Sequence, residues 1–119
     1  MANETIELKE RTEEFALRIV RMYQALPRSE EAYVLGKQAL RSGTSVAANY
    51  RAVCRARSKP EFIAKIGVVV EEADEAAFWL RLLVKSGIVS AKRMSPLQKE
   101  AEELLAIFAA SQRTARGSK

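Results

Sequence analysis

With 119 residues, a net charge of +5 and no histidine, the chain is sized for one domain and lacks the commonest general base and metal ligand. A chain of this size buries roughly two-thirds of its unfolded surface, enough for a core without staples, and a single cysteine, Cys54, excludes an internal disulfide. Hydrophobic residues at 48% with aromatics at only 7% favour packed helices over a sheet, and the moderately basic balance permits an anionic partner without demanding one.

The N-terminal stretch MANETIELKERTEEF is acidic and has no apolar core, so no signal peptide is expected. No run approaches the roughly 18 apolar residues of a membrane span. The expectation is a soluble cytoplasmic protein without a membrane role, with Cys54 as a small buried hydrophobe.

A first helix is predicted over about 5–25. Leu8, Phe15, Ile19, Met22 and Leu26 recur at alternating spacings of three and four, with Thr12 at the missing position. Ala16, Val20 and Tyr23 widen this stripe, and Pro27 stops the helix because it lacks the N–H that continuation needs. A second helix is predicted over 30–56, with Ser29 as N-cap and Glu30 and Glu31 in the favourable first turn. At about 100° per residue, Leu35, Ala39, Gly43, Val46, Tyr50, Val53 and Cys54 gather on one arc. Lys37, Arg41, Arg51 and Arg55 fall on another, with Thr44 and Ala48 between them, and Arg57 and Lys59 continue it beyond the helix. The small residues Ser42, Gly43, Ala47 and Ala48 admit close approach by another helix.

Ser58-Lys59-Pro60-Glu61 reads as a capping box that opens a third helix, predicted over 59–85. Its core set is Phe62, Ile66, Val69, Val70, Ala73, Ala77, Leu80 and Val84, and Gly87 supplies a left-handed cap. Residues 90–93 read as a loop. Ser95-Pro96-Leu97-Gln98 then repeats the starting grammar, so a fourth helix is predicted over 96–113, burying Leu97, Ala101, Leu104, Leu105 and Phe108. The tail from Thr114 to Lys119 is polar and reads as frayed. Four helices with short connections, and no sustained period-two alternation, predict an all-α, antiparallel up-down four-helix bundle as a single domain over 1–119.

Catalytic chemistry finds little support. Glu71, Glu72, Asp74 and Glu75 crowd one helix, but a carboxylate di-metal bundle draws on several helices and on Glu-x-x-His pairs. Cys54 has no histidine partner, and the five glycines are scattered rather than grouped in a phosphate loop. The expectation is no enzyme, no metal and no cofactor.

Three features remain. The basic set Lys37, Arg41, Arg51, Arg55, Arg57 and Lys59 reads as a solvated face, a phosphate-contacting surface or a subunit interface. Glu72, Glu75 and Trp79 share a narrow arc of the third helix, where a large aromatic at a polar edge suits a subunit contact. Asn49 lies off the basic stripe and suits a helix-to-helix contact.

The runs LRSGTSVAANYR, RARSKPEFIAKIG and VEEADEAAFWLRLL resemble a bacterial four-helix-bundle family encoded in intervening sequences of large-subunit ribosomal RNA genes. The similarity spans about 16–107, and Arg41 to Asn49 carries its most specific signature. The family often has Glu-Gly soon after that asparagine, where this chain has Arg51-Ala52, so no role of that glutamate carries over. More distantly, the chain is similar to the accessory protein of diversity-generating retroelements. The resemblance implies a homo-oligomer, a pentamer, and no established catalytic function. The resulting expectation is a non-enzymatic oligomeric binding or scaffold protein that contacts RNA or DNA through its basic surface. The alternative is a structural or protein-interaction module with no nucleic-acid role. A hydrolase or metalloenzyme is a distant third.

Overall fold

The three connections, 25–29, 54–58 and 86–90, each end in a serine that starts the next helix. In the computed structural model, which describes residues 2–117, the chain forms α1 (Ala2–Gln24), α2 (Glu30–Val53), α3 (Lys59–Lys85) and α4 (Ala91–Gly117). Each serine hydroxyl accepts a hydrogen bond from the backbone N–H three residues on. Ser29 accepts from Ala32 at 3.1 Å, Ser58 from Glu61 at 3.2 Å and Ser90 from Arg93 at 3.2 Å. Each bond satisfies one N–H that a helix start leaves without an intrahelical partner. The Glu61 carboxylate reaches back to the backbone N–H of Arg57 at 3.0 Å, one residue before the cap.

The start of α4 differs from the sequence expectation. The helix begins at Ala91 under a Ser90 cap, and Pro96 lies inside it. Residues 90–93 are therefore cap and first turn, and Ser95 caps nothing. The added turn brings Met94 into the core at 2% exposure. Pro96 removes the bond its N–H would have made to the carbonyl of Lys92 and crowds that carbonyl, but Lys92 is exposed, so the carbonyl can turn to water. At the far end α4 continues to Gly117, beyond the end expected at 113; Ser118 and Lys119 lie outside the described residues.

The other helix ends follow local rules. α3 closes at Ser86, and the N–H groups of Gly87 and Ile88 bond to Val84 and Leu83 at 2.9 and 3.0 Å. This paired arrangement needs a left-handed residue, and Gly87 supplies it with φ +82°. α2 ends at Val53 rather than Ala56. Arg55 and Ala56 instead bond back three residues, to Ala52 and Val53, which tightens the exit.

All four helices lie along a bundle of 49 × 22 × 22 Å, and sequential neighbours pack against one another along their lengths. α4 packs closely on α3 but only lightly against α1. The core runs through Phe15, Ile19, Val46, Tyr50, Ile66, Val69, Leu80, Leu83, Leu104 and Phe108. Thr12 is buried among them, its hydroxyl donating to the carbonyls of Leu8 and Lys9 at 2.8 and 3.1 Å. Ser42 is fully buried and donates to the Gln38 carbonyl at 2.9 Å. Both short polar side chains sit in the core because their own helix carbonyls satisfy them.

Candidate functional site

The basic stripe of α2 divides into two halves with different partners. At its start, the Lys37 ammonium donates to the Tyr33 hydroxyl at 3.3 Å and lies 5.0 Å from the centre of that ring. One turn on, Arg41 reaches α3 of its own chain, donating to Glu72 at 3.3 Å and also to Glu75. The hydrogen bond to Glu75 holds the guanidinium above its ordinary pKa, against the opposing effect of burial. The sequence makes Glu72 and Glu75 candidates for contact with a neighbouring subunit. Here Arg41 pairs with both within its own chain, because the α2–α3 register puts the three side chains at one level.

The second half of the stripe stays open. Arg51 is exposed in the last turn of α2, and Arg55 lies beyond the helix in its tightened exit. Arg57 is exposed in the connection that follows. None of these three guanidiniums is in an ion pair among the described residues. Arg55 and Arg57 line an open cavity of about 380 Å³ with Ala52, Glu61 and Lys65, where Lys65 faces Glu61 at 3.7 Å. Lys59, exposed at the first position of α3, has a partner of its own.

The candidate contact residues on the other faces are less accessible than their spacing suggests. Asn49 is half-buried and its amide donates to the Ser45 carbonyl at 2.9 Å, back along its own helix. Trp79 is half-buried against the core, and its indole N–H is buried without a hydrogen-bond partner among the described residues. The exposed aromatic beside it is Phe78, 45% exposed, whose ring meets Trp79 edge-on with centres 4.9 Å apart. Phe78 belongs to a seam on the outer face of α3, Ala64, Val68, Glu71, Glu75, Phe78 and Leu82, spaced alternately by four and three.

Two further clusters join residues that no local sequence pattern links. Arg11 of α1 grips Glu100 of α4 with both prongs of its guanidinium, at 2.7 and 2.9 Å, and reaches Glu103 at 2.8 Å. The hydrogen bonds to Glu100, first of all, raise the Arg11 pKa. Near the C-terminus of α2, Tyr50 is buried against Phe108, with ring centres 5.2 Å apart. Burial pushes its phenol up to about 12, and the neighbouring Cys54 adds to the effect. Cys54 is half-buried at the C-cap of α2, more open than the core position expected of it. Among the described residues no group of three metal-ligating side chains is placed to hold an ion, and no helix is long and apolar enough to cross a membrane.

Comparison with known proteins agrees with this architecture. No curated protein matches the chain. A crystal structure of a protein of unknown function from Bacteroides thetaiotaomicron, assigned to the S23 ribosomal protein family, superposes with a TM-score of 0.82 at 33% identity. The match covers 89% of this chain and 98% of that one. The profile of the 23S rRNA-intervening sequence protein family matches residues 4–110, and with nearly the whole bundle inside that span the chain belongs to this family.

Proposed function

We propose that the protein is a non-enzymatic, self-associating scaffold that contacts nucleic-acid backbones through Arg51, Arg55 and Arg57. One observation carries the nucleic-acid part. Of the basic stripe that runs along α2 and into the following connection, these three stay exposed and outside any ion pair among the described residues, while Lys37 and Arg41 are engaged within the chain. Unpaired guanidiniums grouped at one end of a rigid bundle suit phosphate contacts, which position a partner without reading its sequence. Binding is accordingly weak, indifferent to sequence and steeply salt-dependent. Lys59 stands beside the patch and is a lesser contributor.

The self-associating part rests on the outer seam of α3. Val68 and Phe78 are 41% and 45% exposed, in a spacing that packs one helix against another. The family resemblance supplies the expected number, five. Glu75 lies within this seam, and Glu72 and Trp79 border it on α3, whereas Asn49 lies on α2.

Light scattering after size exclusion tests assembly. The expected mass is about five times the 13.3 kDa chain, and Phe78→Asp returns it toward one chain. Titration of labelled RNA and duplex DNA at two salt concentrations tests the patch. The triple variant Arg51→Ala, Arg55→Ala, Arg57→Ala loses low-salt binding while keeping its assembly. An intact oligomer that binds neither nucleic acid at low salt overturns the nucleic-acid reading. It leaves the second reading, a protein-interaction module, which the exposed Val34, Val68 and Phe78 favour.

A further inference from the structure

Arg18, Arg21 and Arg93 line a cleft of about 510 Å³ where α1 ends and α4 begins. This is the opposite end of the bundle from Arg51, Arg55 and Arg57. The cleft exists because α1 and α4 pack only lightly, so the seam between them stays open at this end. The turn after Gly87 lays Ile88 and Val89 across it, and these join Met22 in an apolar lining that is only half-buried. No carboxylate lines the cleft among the described residues. Arg21 has a loose partner in Glu14 at 3.6 Å, outside it. Arg18 and Arg93 are in no ion pair among the described residues.

Grouped guanidiniums without a counter-charge repel one another, and an anion among them relieves that repulsion. Arginine also presents a planar fork that matches carboxylate and phosphate oxygens. The apolar lining sets a second requirement. A purely ionic ligand leaves it facing water, and a purely apolar ligand leaves the arginines without a partner. The volume falls within the usual range for a small-molecule site, roughly 300–1,000 Å³. We propose that this cleft binds a small anionic amphiphile, a carboxylate or phosphate head carrying an apolar chain.

The test is calorimetric titration of the full chain with decanoate and with decyl phosphate, both below their micellar concentrations. Decanol and inorganic phosphate serve as the apolar and ionic halves alone. At least one amphiphilic anion binds, and each half alone binds about tenfold or more weakly. Binding of only decanoate or only decyl phosphate supports the site and identifies the head. Arg93→Glu weakens binding about tenfold or more. That variant is expected to fold normally, because residue 93 is exposed in the first turn of α4, where an acidic side chain is favourable. The amide resonances of Ile88 and Val89 move when the ligand is added. Failure of both anions to bind at millimolar concentration overturns the proposal. Equal binding by decanol or inorganic phosphate does so too, as does unchanged affinity in folded Arg93→Glu. An oligonucleotide that binds this end, lost in Arg93→Glu, while neither amphiphile binds, assigns the cleft to polyanions and also overturns it.

Discussion

Gly43 of α2 stands directly against Ile19 of α1: a Cβ built on the glycine lies 2.8 Å from Ile19 Cγ1 and 3.1 Å from Cγ2. Ile19 is fully buried and branched, so it has nowhere to go. Gly43→Ala therefore meets two opposing effects. Helix propensity favours alanine by about 1 kcal/mol, and overpacking costs about 1–3 kcal/mol. The steric effect wins here, and denaturant unfolding should show a net loss of about 1 kcal/mol.

Gly67 provides the contrast within the same bundle. A Cβ there meets only Gln112 Nε2, at 2.9 Å, the far end of a flexible half-buried side chain. Gly67→Ala keeps the propensity gain and should stabilise by up to about 1 kcal/mol. If Gly43→Ala stabilises as Gly67→Ala is expected to, the packing argument for Gly43 fails.

The Arg11 grip on Glu100 joins two helices that otherwise touch lightly. The Glu100 side chain is 16% exposed and that of Arg11 33%, so the pair is shielded more than an ordinary surface pair. Arg11→Met should cost about 1 kcal/mol, toward the upper end for exposed pairs. The difference from the parent protein should shrink as salt is added. Unequal urea midpoints that respond equally to salt would argue against an electrostatic origin.

Tyr50 sets an alkaline limit. Its phenol is raised from 10.0 to about 12 in the folded chain, chiefly by burial. Below the unfolded value both states hold the proton, and this stabilising contribution is fully present. As pH rises from 10 toward 12 the unfolded state ionises first, so stability falls across that window. Absorbance titration of the three tyrosines should show one late step, absent in Tyr50→Phe. Thermal melts of that variant should decline less steeply over the same pH range.

Local grammar made much of the fold readable. Ser29, Ser58 and Gly87 announce helix ends through side chains and backbone angles that act within four residues. The start of α4 escaped because Ser95-Pro96 offers the same grammar as Ser90, and only burial of Met94 decides between them. The candidate site was less readable for a different reason. Whether Arg41 is open or engaged depends on the register of α2 against α3, which no local pattern encodes. The same holds for Arg18, Arg21 and Arg93, which are distant in sequence and share a cleft only because of how α1 and α4 diverge.

That divergence has a consequence for the order in which the molecule opens. α2 and α3 each have extensive neighbours on two sides, whereas α1 leans on α2 and packs only lightly on α4, where Arg11 bridges the two. Detaching α1 sacrifices one long seam; detaching α2 or α3 sacrifices two. Slow amide exchange should therefore be concentrated in α2 and α3, with α1 exchanging through a partial opening of lower free energy than global unfolding. Arg11→Met should hasten exchange across α1 while leaving the slowest amides of α3 nearer the parent rate. A vacated α1 groove is also the surface into which the α1 of another copy can fold, so concentrated, gently warmed protein should exchange α1 between copies before it unfolds.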